Sequence, residues 1–488
     1  MKKYLYGASI YGIQSFIFQT SKLKDITGAS EIVKNVCESV FTEEFQCGGQ
    51  PVVNAAGNIK CIYESEQECR ATVLRFPKRV METAPGISIN QAVVVYDDAS
   101  DDFGQICEEL EKRLRAQRNR PFKKLDTGLI ATERSRATGL PVAAIDGAGH
   151  DADFIDEGTL SKRRALGKNH EKELKLCHDL FGKHVTVKDV GLDMKDLTGR
   201  NDWIAVIHID GNGLGEVVAS IGSDRKRLSD FSKNLDRATR QAARTACQEY
   251  VEEKDHKAVY PIRPVLLGGD DLTVICRADV ALGFVRNYLE AFEKESLQQT
   301  GHALTACAGI AFIKSSYPFH YGYDLAETLC GQAKTDAKSD VVRQTNDGKA
   351  PSCLMFHKVQ SSFVESFSEI KRKELTPQKD GCTYMYGPYY LASHAGRPTI
   401  DGLTETVSEL SDERNNEVKT AVREWLTMMA KDEHMAEQKH KRALSLLEGR
   451  KQRLYEEATS VKQRNDGLGH IPAYDMLALY AVKNQTTN

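Results

Sequence analysis

Residues 265–275 read Val-Leu-Leu-Gly-Gly-Asp-Asp-Leu-Thr-Val-Ile, and this stretch decides the fold of the second half of the chain. Two apolar runs flank a tip of two glycines and two aspartates, which predicts a β-hairpin with a tight turn. The neighbouring carboxylates of Asp270 and Asp271 would repel each other in a partly dry site, and divalent cations would relieve that repulsion. Because Gly and Asp are also ordinary turn residues, the tip alone indicates either a metal site or a plain turn.

A third carboxylate favours the metal site over the plain turn. Residues 203–210 form an apolar strand that ends in Asp210. The pattern of residues 201–360 has the order β-α-β-β-α-β, in which the first strand lies beside the central hairpin, so we expect Asp210 near Asp270 and Asp271. Three carboxylates on the open face of such a sheet are typical of two-metal phosphoryl or nucleotidyl transfer with Mg²⁺ or Mn²⁺.

Three further side chains lie near this predicted centre. A helix over residues 324–338 carries Lys334, which could reach the phosphates of a bound nucleotide as a point charge; the alternative is a solvated surface lysine. Lys338, one turn further, is the second candidate. His208 precedes Asp210 by two residues on the same strand face, and we expect a packed histidine rather than a metal ligand.

The first hundred residues repeat the same order with weaker signals. We predict a strand over residues 4–17, a helix over 30–41, a hairpin that turns at 54–58, a helix over 66–83 and a strand over 91–96. The same topology twice suggests an internal duplication. The predicted fold class is therefore α+β, with two ferredoxin-like β-α-β-β-α-β domains, a helical insertion between them and a helical C-terminal domain.

We predict four domains. The two ferredoxin-like domains cover residues 1–100 and 201–362, a mostly helical linker domain covers 101–200 between them, and the helical C-terminal domain covers 363–488. In the last domain we predict long charged helices over 404–429 and 433–464 and a short apolar helix over 474–482. The linker domain has a cluster of basic residues, for which a solvated helix face is the leading interpretation and a nucleic-acid contact the alternative. These residues are Lys112, Arg113, Arg115, Arg118, Arg120, Lys123 and Lys124.

Composition excludes several classes of protein. The 488 residues include 66 Lys and Arg and 69 Asp and Glu, and this near balance excludes a histone-like polycation. Hydrophobic residues make up 41% and charged residues 28%, as in folded globular proteins. No apolar run approaches the ~20 residues that span a bilayer, and the N-terminus does not resemble a signal peptide. The 12 cysteines form no C-x-x-C pair, which argues against a metal ribbon and favours reduced thiols in the cytoplasm.

Together these motifs resemble the palm domains of the large polymerase-like subunit of type III CRISPR effectors and, more distantly, GGDEF nucleotide cyclases. The resemblance implies an enzyme that joins ATP into cyclic oligoadenylates or related signals in antiviral defence, with two nucleotide sites that face each other across paired palms. It implies Asp210, Asp270 and Asp271 as metal ligands and catalytic residues. In the second palm it rests on residues 210–215, 268–271, 308–311, 317–318 and 333–334, and in the first on residues 12–17 and 22–30. The candidate nucleotide-binding residues are Gly268, Gly269, Asn212, Lys334, Lys338 and Asn58.

The sequence departs from that family in four places. Asn212 replaces a second strand-end aspartate, which could weaken or retune metal binding. The turn at residues 54–58 has no carboxylate, so the first palm should be degenerate and bind nucleotide without catalysing. Residues 133–139, where the family often has a zinc ribbon, contain no cysteine, so we expect no structural zinc. The chain starts at the first palm without an HD nuclease domain, so we expect no DNase activity.

The leading hypothesis is a cytoplasmic, metal-dependent nucleotidyltransferase that makes a cyclic nucleotide second messenger, with ATP as the first choice of substrate. One alternative is an RNA-guided effector subunit that serves mainly as a nucleic-acid-binding scaffold, and another is a dinucleotide cyclase that uses GTP. The sequence leaves open the base, the ring size, the linkage and the activator. It also leaves open binding to RNA, to other effector subunits or to copies of itself; a membrane partner is not expected.

Overall fold

The structure is a computed structural model, and it describes residues 2–20, 22–46, 48–55, 57–120, 131–147, 152–166, 174–186, 189–191, 193–198, 201–221, 224–254, 257–361, 366–377 and 381–483. No helix among these residues is long and apolar enough to cross a membrane.

The first domain has the predicted β-α-β-β-α-β order. Its four strands form one antiparallel sheet in the order β2-β3-β1-β4. A π-helical turn over Val36–Val40 separates α2 from α3. The elements are β1 (Lys2–Tyr11), α1 (Ile13–Ile17), α2 (Leu23–Asn35), α3 (Phe41–Glu44), β2 (Gly49–Ala55), β3 (Asn58–Tyr63), α4 (Glu66–Thr83) and β4 (Ser88–Asp97).

Two predicted boundaries in this domain are wrong. The predicted strand over residues 4–17 ends at Tyr11, because Gly12 adopts a left-handed φ of 70° and the next residues form α1. The helix predicted from residue 30 begins at Leu23, because its buried apolar side chains start about two turns earlier than the part with clear periodicity.

The described residues of the segment between the palms form a hairpin as well as helices. These elements are α5 (Phe103–Arg118), a hairpin of β5 (Ala144–Asp146) and β6 (Asp153–Ile155), α6 (Glu157–Ala165) and α7 (Lys175–Phe181). Leu110 and Leu114 of α5 pack on Leu5 and Val94, so this helix covers the outer face of the first sheet. The predicted domain boundaries stay predictions. Of the predicted basic cluster, Lys123 and Lys124 lie outside the described residues.

The second palm has the predicted order, and two further strands, β13 (Cys353–Lys358) and β15 (Tyr389–Tyr390), extend its sheet to the order β10-β11-β7-β12-β13-β15. The predicted hairpin is formed by β10 and β11, and β7 lies between β11 and β12. The elements up to β13 are β7 (Trp203–Gly211), α8 (Leu214–Ile221), α9 (Arg225–Gln248), β8 (Glu252–Lys254), β9 (Lys257–Val259), β10 (Ile262–Gly268), β11 (Asp271–Arg277), α10 (Ala281–Thr300), β12 (Ala306–Lys314), α11 (Phe319–Ala337), α12 (Asp340–Arg343) and β13 (Cys353–Lys358).

The C-terminal region is mainly helical, but both long predicted helices are interrupted. The first breaks where the Asp412 carboxylate accepts a hydrogen bond from the Arg414 backbone N–H, at 2.9 Å, and caps a new turn. The second stops at Leu446, restarts at Gly449 and ends at Thr459. The elements are α13 (Phe367–Lys373), β14 (Cys382–Thr383), β15 (Tyr389–Tyr390), α14 (Ile400–Ser411), α15 (Asn416–Met429), α16 (Glu433–Leu446), α17 (Gly449–Thr459), β16 (Lys462–Gln463), β17 (Gly469–His470) and α18 (Ala473–Lys483).

The strand registers support the duplication and relate the two palms residue by residue. In the first sheet Asn58 pairs with Ser9. In the second sheet the register between β11 and β7 places Asp271 opposite Asp210. Each hairpin has two residues between its strands. Ser9 and Asn58 of the first palm therefore take the places that Asp210 and Asp271 take in the second.

Candidate active site

Three carboxylates meet at one edge of the second sheet. Asp210 lies near the end of β7, Asp271 begins β11, and Asp270 lies in the turn before it. One oxygen of each carboxylate lies within 4.8 Å of the corresponding oxygens of the other two, and all three residues are partly buried. The structure thus brings together the three predicted metal ligands. The tip is only partly exposed, because α9 packs against it.

The charges of this triad are poorly compensated by protein groups alone. Burial, together with the charges of Asp270 and Asp210, raises the pKa of Asp271 to about 8. Burial and the charge of Asp210 raise the pKa of Asp270 to about 6. Closely spaced carboxylate oxygens without nitrogen or sulfur donors suit hard divalent cations such as Mg²⁺ and Mn²⁺. The donor set therefore fits the predicted cations.

Lys334 is part of this site and not a solvated surface lysine. From the last turn of α11 its Nζ lies 2.5 Å from Asp210 Oδ2 and donates to the carbonyl oxygen of Gly211 at 2.6 Å. Burial lowers the pKa of Lys334, but the hydrogen bond to Asp210 and the charge of Asp210 raise it on balance, so the side chain is charged. An ammonium group is thus held beside the triad.

The triad lies between two cavities that contain all the predicted site residues. The larger, of about 1260 Å³, opens between the two palms and reaches Asp271. The smaller, of about 630 Å³, reaches Asp210 and Asp270. The larger cavity is lined by the predicted residues Asn58, Gly268 and Gly269, and the smaller by Asn212, Lys334 and Lys338.

Further cationic residues line both cavities, and sequence reasoning did not place them at the site. Lys233 and Arg237 of α9 line the larger cavity and have no ion pair among the described residues. Arg343 and Lys349 line the smaller one. Arg118 also reaches the larger cavity, with its guanidinium carbon 5.7 Å from the centre of an aromatic ring of the first palm. A signal was available for α9, because its basic residues repeat at helical spacing opposite its apolar stripe.

Two predicted neighbours of the triad turn away from it. The buried Asn212 points its Nδ2 at Thr305 Oγ1 and Cys307 Sγ, each at 3.2 Å, so a contact with nucleotide stays a prediction. His208 is packed, as expected, with Nδ1 3.2 Å from Thr273 Oγ1. Burial lowers the pKa of His208 to about 4, so the ring is neutral.

The hairpin tip is held from behind by α9. The buried hydroxyl of Thr239 donates to the carbonyl oxygen of Gly269 at 2.7 Å, and a carboxylate oxygen of Asp236 lies 3.4 Å from the Gly269 backbone nitrogen. These bonds fix the backbone that carries Asp270 and Asp271. The position of the carboxylates is thus set by the packing of α9 on the sheet.

Comparison with known proteins agrees with this geometry. Residues 203–342 match the family model described as Cas10/Cmr2, second palm domain. Residues 203–342 are thus similar to the second palm domain of Cas10/Cmr2 proteins. No curated protein matches the chain.

Solved structures with the same fold align with the whole chain and not only with residues 203–342. A chain of the Csm1-Csm4 cassette in complex with cA4 superposes with a TM-score of 0.62 at 14% identity, over 100% of this chain and 70% of that one. The cassette in complex with AMPPNP superposes with a TM-score of 0.58 at 15% identity, over 100% of this chain and 70% of that one. The Csm1-Csm4 subcomplex in the type III-A CRISPR-Csm interference complex superposes with a TM-score of 0.59 at 12% identity, over 99% of this chain and 70% of that one. At these identities the superpositions show the fold.

Proposed function

We propose that this protein is a metal-dependent nucleotidyltransferase that joins nucleoside triphosphates, with ATP as the first choice, into a cyclic oligonucleotide signal in antiviral defence. The observation that carries the proposal is the triad of Asp210, Asp270 and Asp271, with oxygens within 4.8 Å of one another where two cavities meet. A bond between two nucleotides needs two bound substrates and one reaction centre between them, and this arrangement suits that need.

The three aspartates would hold the divalent cations. When bound, such cations lower the pKa of an attacking ribose hydroxyl and neutralise the leaving pyrophosphate. In the smaller cavity Lys334, Lys338 and the two basic residues near them would hold the triphosphate of the donor nucleotide. Lys334 bonds to Asp210 in the structure and would exchange that partner for a phosphate oxygen once cations neutralise the carboxylate.

The larger cavity would hold the acceptor nucleotide, with its hydroxyl group near Asp271. Lys233 and Arg237 would attract its phosphates, since they line this cavity without an ion pair among the described residues. Ser9 and Asn58 replace the carboxylates in the first palm. That palm would therefore bind nucleotide through neutral hydrogen-bonding groups and leave the chemistry to the second.

The solved relatives support the choice of nucleotide and suggest partners. Csm1-Csm4 cassettes form complexes with cA4, AMPPNP and one ATP. We infer that this chain uses ATP and works beside a Csm4-like subunit in the cytoplasm. The pairing of those relatives with Csm4 also favours the second candidate function, a nucleic-acid-binding scaffold subunit with weak cyclase activity. Binding to RNA and assembly with copies of itself stay predictions.

The test is incubation of the protein with each nucleoside triphosphate and Mg²⁺ or Mn²⁺, with products identified by mass spectrometry. We expect cyclic oligoadenylate from ATP, and no product from the double variant Asp270→Ala, Asp271→Ala. The exposed Asp230 of α9 provides a matched control, because Asp230→Ala removes a carboxylate outside both cavities. Wild-type yield from the double variant would refute the metal-centre assignment. A product from GTP alone would favour the dinucleotide cyclase, and co-purified RNA without turnover would favour the scaffold.

A further inference from the structure

The last turn of α11 is held from two opposite sides. Lys334 faces Asp210 in the triad. Residues two apart on a helix lie ~200° apart around its axis, so Asp336 faces the other way, toward the C-terminal region. There its carboxylate accepts hydrogen bonds from Arg397 Nη2 at 2.8 Å, from Arg397 Nε at 3.1 Å and from the Tyr390 hydroxyl at 2.6 Å.

This anchor is buried and rigid. Tyr390 is fully buried and Arg397 is 9% exposed. Although burial raises the pKa of Asp336, its bonds to Arg397 and Tyr390 lower it on balance, so the pair is ionic. The loop that carries Arg397 is closed by backbone bonds, from Arg397 N–H to His394 O and from Tyr390 N–H to Pro398 O, each 2.9 Å long.

The end of α11 needs such an anchor to hold its angle. The carbonyl groups of a last helical turn lack helical donors, and helix ends fray unless other groups hold them. Ala333 and Ala337, which flank the turn on its buried side, are too short to interlock with neighbours. Arg397 binds two oxygens of one carboxylate, which fixes orientation as well as distance.

We propose that Arg397 and Tyr390 are positioning residues that hold Lys334 at the nucleotide site, so that the C-terminal region controls phosphate binding at the second palm. The inference rests on the proposed function, because it assigns Lys334 to the phosphates of the donor nucleotide. A shift of this loop would turn the last turn of α11 and withdraw the ammonium group from the smaller cavity and from Asp210, while the hairpin that carries Asp270 and Asp271 stays in place.

A double-mutant cycle tests this inference by equilibrium binding. The dissociation constant of ATP is measured with Ca²⁺ in place of Mg²⁺ for wild type, Arg397→Lys, Lys334→Ala and the double variant. We expect Lys334→Ala to weaken binding ~10-fold and Arg397→Lys ~5-fold, and the double variant to lie within ~2-fold of Lys334→Ala alone. Arg414→Lys, in an exposed ion pair with Asp412, is the matched control and should change binding less than ~2-fold.

The outcomes separate the inference from the function on which it rests. If the two single effects multiply in the double variant, Arg397 does not act through Lys334 and the inference is wrong. Should Arg397→Lys fail to fold, Tyr390→Phe removes one bond to Asp336 without opening a cavity, and it should weaken binding only when Lys334 is present. If the wild type makes product but Arg397→Lys binds ATP normally, only the inference is refuted. If the wild type binds no nucleotide, the proposed function and the inference are refuted together.

Discussion

Replacing Asp271 by Asn should stabilise the metal-free protein. In the folded state burial and two neighbouring carboxylates raise the pKa of Asp271 to about 8, from an ordinary value of 3.8. The folded protein therefore binds more protons than the unfolded chain between these values, so wild-type stability falls as the pH rises from 4 to 8. Asn keeps the size of the side chain and removes the charge, so the variant escapes this loss.

The size of the effect follows from the same shift. At pH 7.5 an isolated group with these two pKa values would cost ~5 kcal/mol in folding free energy. Asp271 is only partly buried, and it faces an open cavity and the charge of Lys334, so we expect ~1–3 kcal/mol to remain. For a domain of this size that corresponds to an increase of ~3–10 °C in melting temperature.

The assay is thermal unfolding in EDTA between pH 4.5 and pH 8.5. The gain of the Asp271→Asn variant should be largest at pH 8.5 and shrink toward zero at pH 4.5, while Asp230→Asn should show no such trend. Added Mn²⁺ should stabilise the wild type and have less effect on the variant, since cations bind the folded triad. A variant no more stable than wild type at pH 8.5 would refute the account of the triad as a strained cation site.

Three further results are expected. Gly309→Ala would place Cβ 1.9 Å from the carbonyl oxygen of Ala326 and should cost about 3 kcal/mol or more in urea unfolding, whereas Gly331→Ala, with open space around it, should be neutral or stabilising. Asn58→Ala should leave Mn²⁺ binding intact by calorimetry and at most weaken nucleotide affinity; loss of metal binding would move the reaction centre to the first palm. Asn212→Asp should lower stability by ~1–3 kcal/mol, because it buries a charge and removes the donor to Thr305, and an unchanged unfolding midpoint would contradict this.

The carboxylate triad could be predicted from sequence because it depends on local patterns. A tight hairpin places Asp270 and Asp271 in one turn, and a strand that stays apolar until Asp210 fixes which residue ends at that edge. The β-α-β-β-α-β order then places this strand beside the second strand of the hairpin. These predictions use the alternation of side chains along a strand and the rules for connecting neighbouring strands. Both depend only on residues that are close together in the sequence or joined by one connection.

The cavities could not be predicted in the same way, because they depend on contacts between distant segments. Lys233 and Arg237 face the larger cavity only because the first palm covers that side of α9. Arg397 lies 61 residues after Asp336, and no periodicity relates them. The end of β1 was missed for a different reason, since Gly12 allows a left-handed turn in a segment that otherwise has the composition of a strand.

The asymmetry of the two palms has a physical reason under the proposed function. Burial and the neighbouring carboxylate charges raise the pKa values of Asp270 and Asp271, so the triad opposes folding until cations bind it. Ser9 and Asn58 avoid this cost in the first palm while they keep the same strand register. A single metal centre is sufficient when it lies where two cavities meet, because each new bond needs one activated hydroxyl and one leaving pyrophosphate. A second triad would add repulsion without adding a step that the first cannot perform.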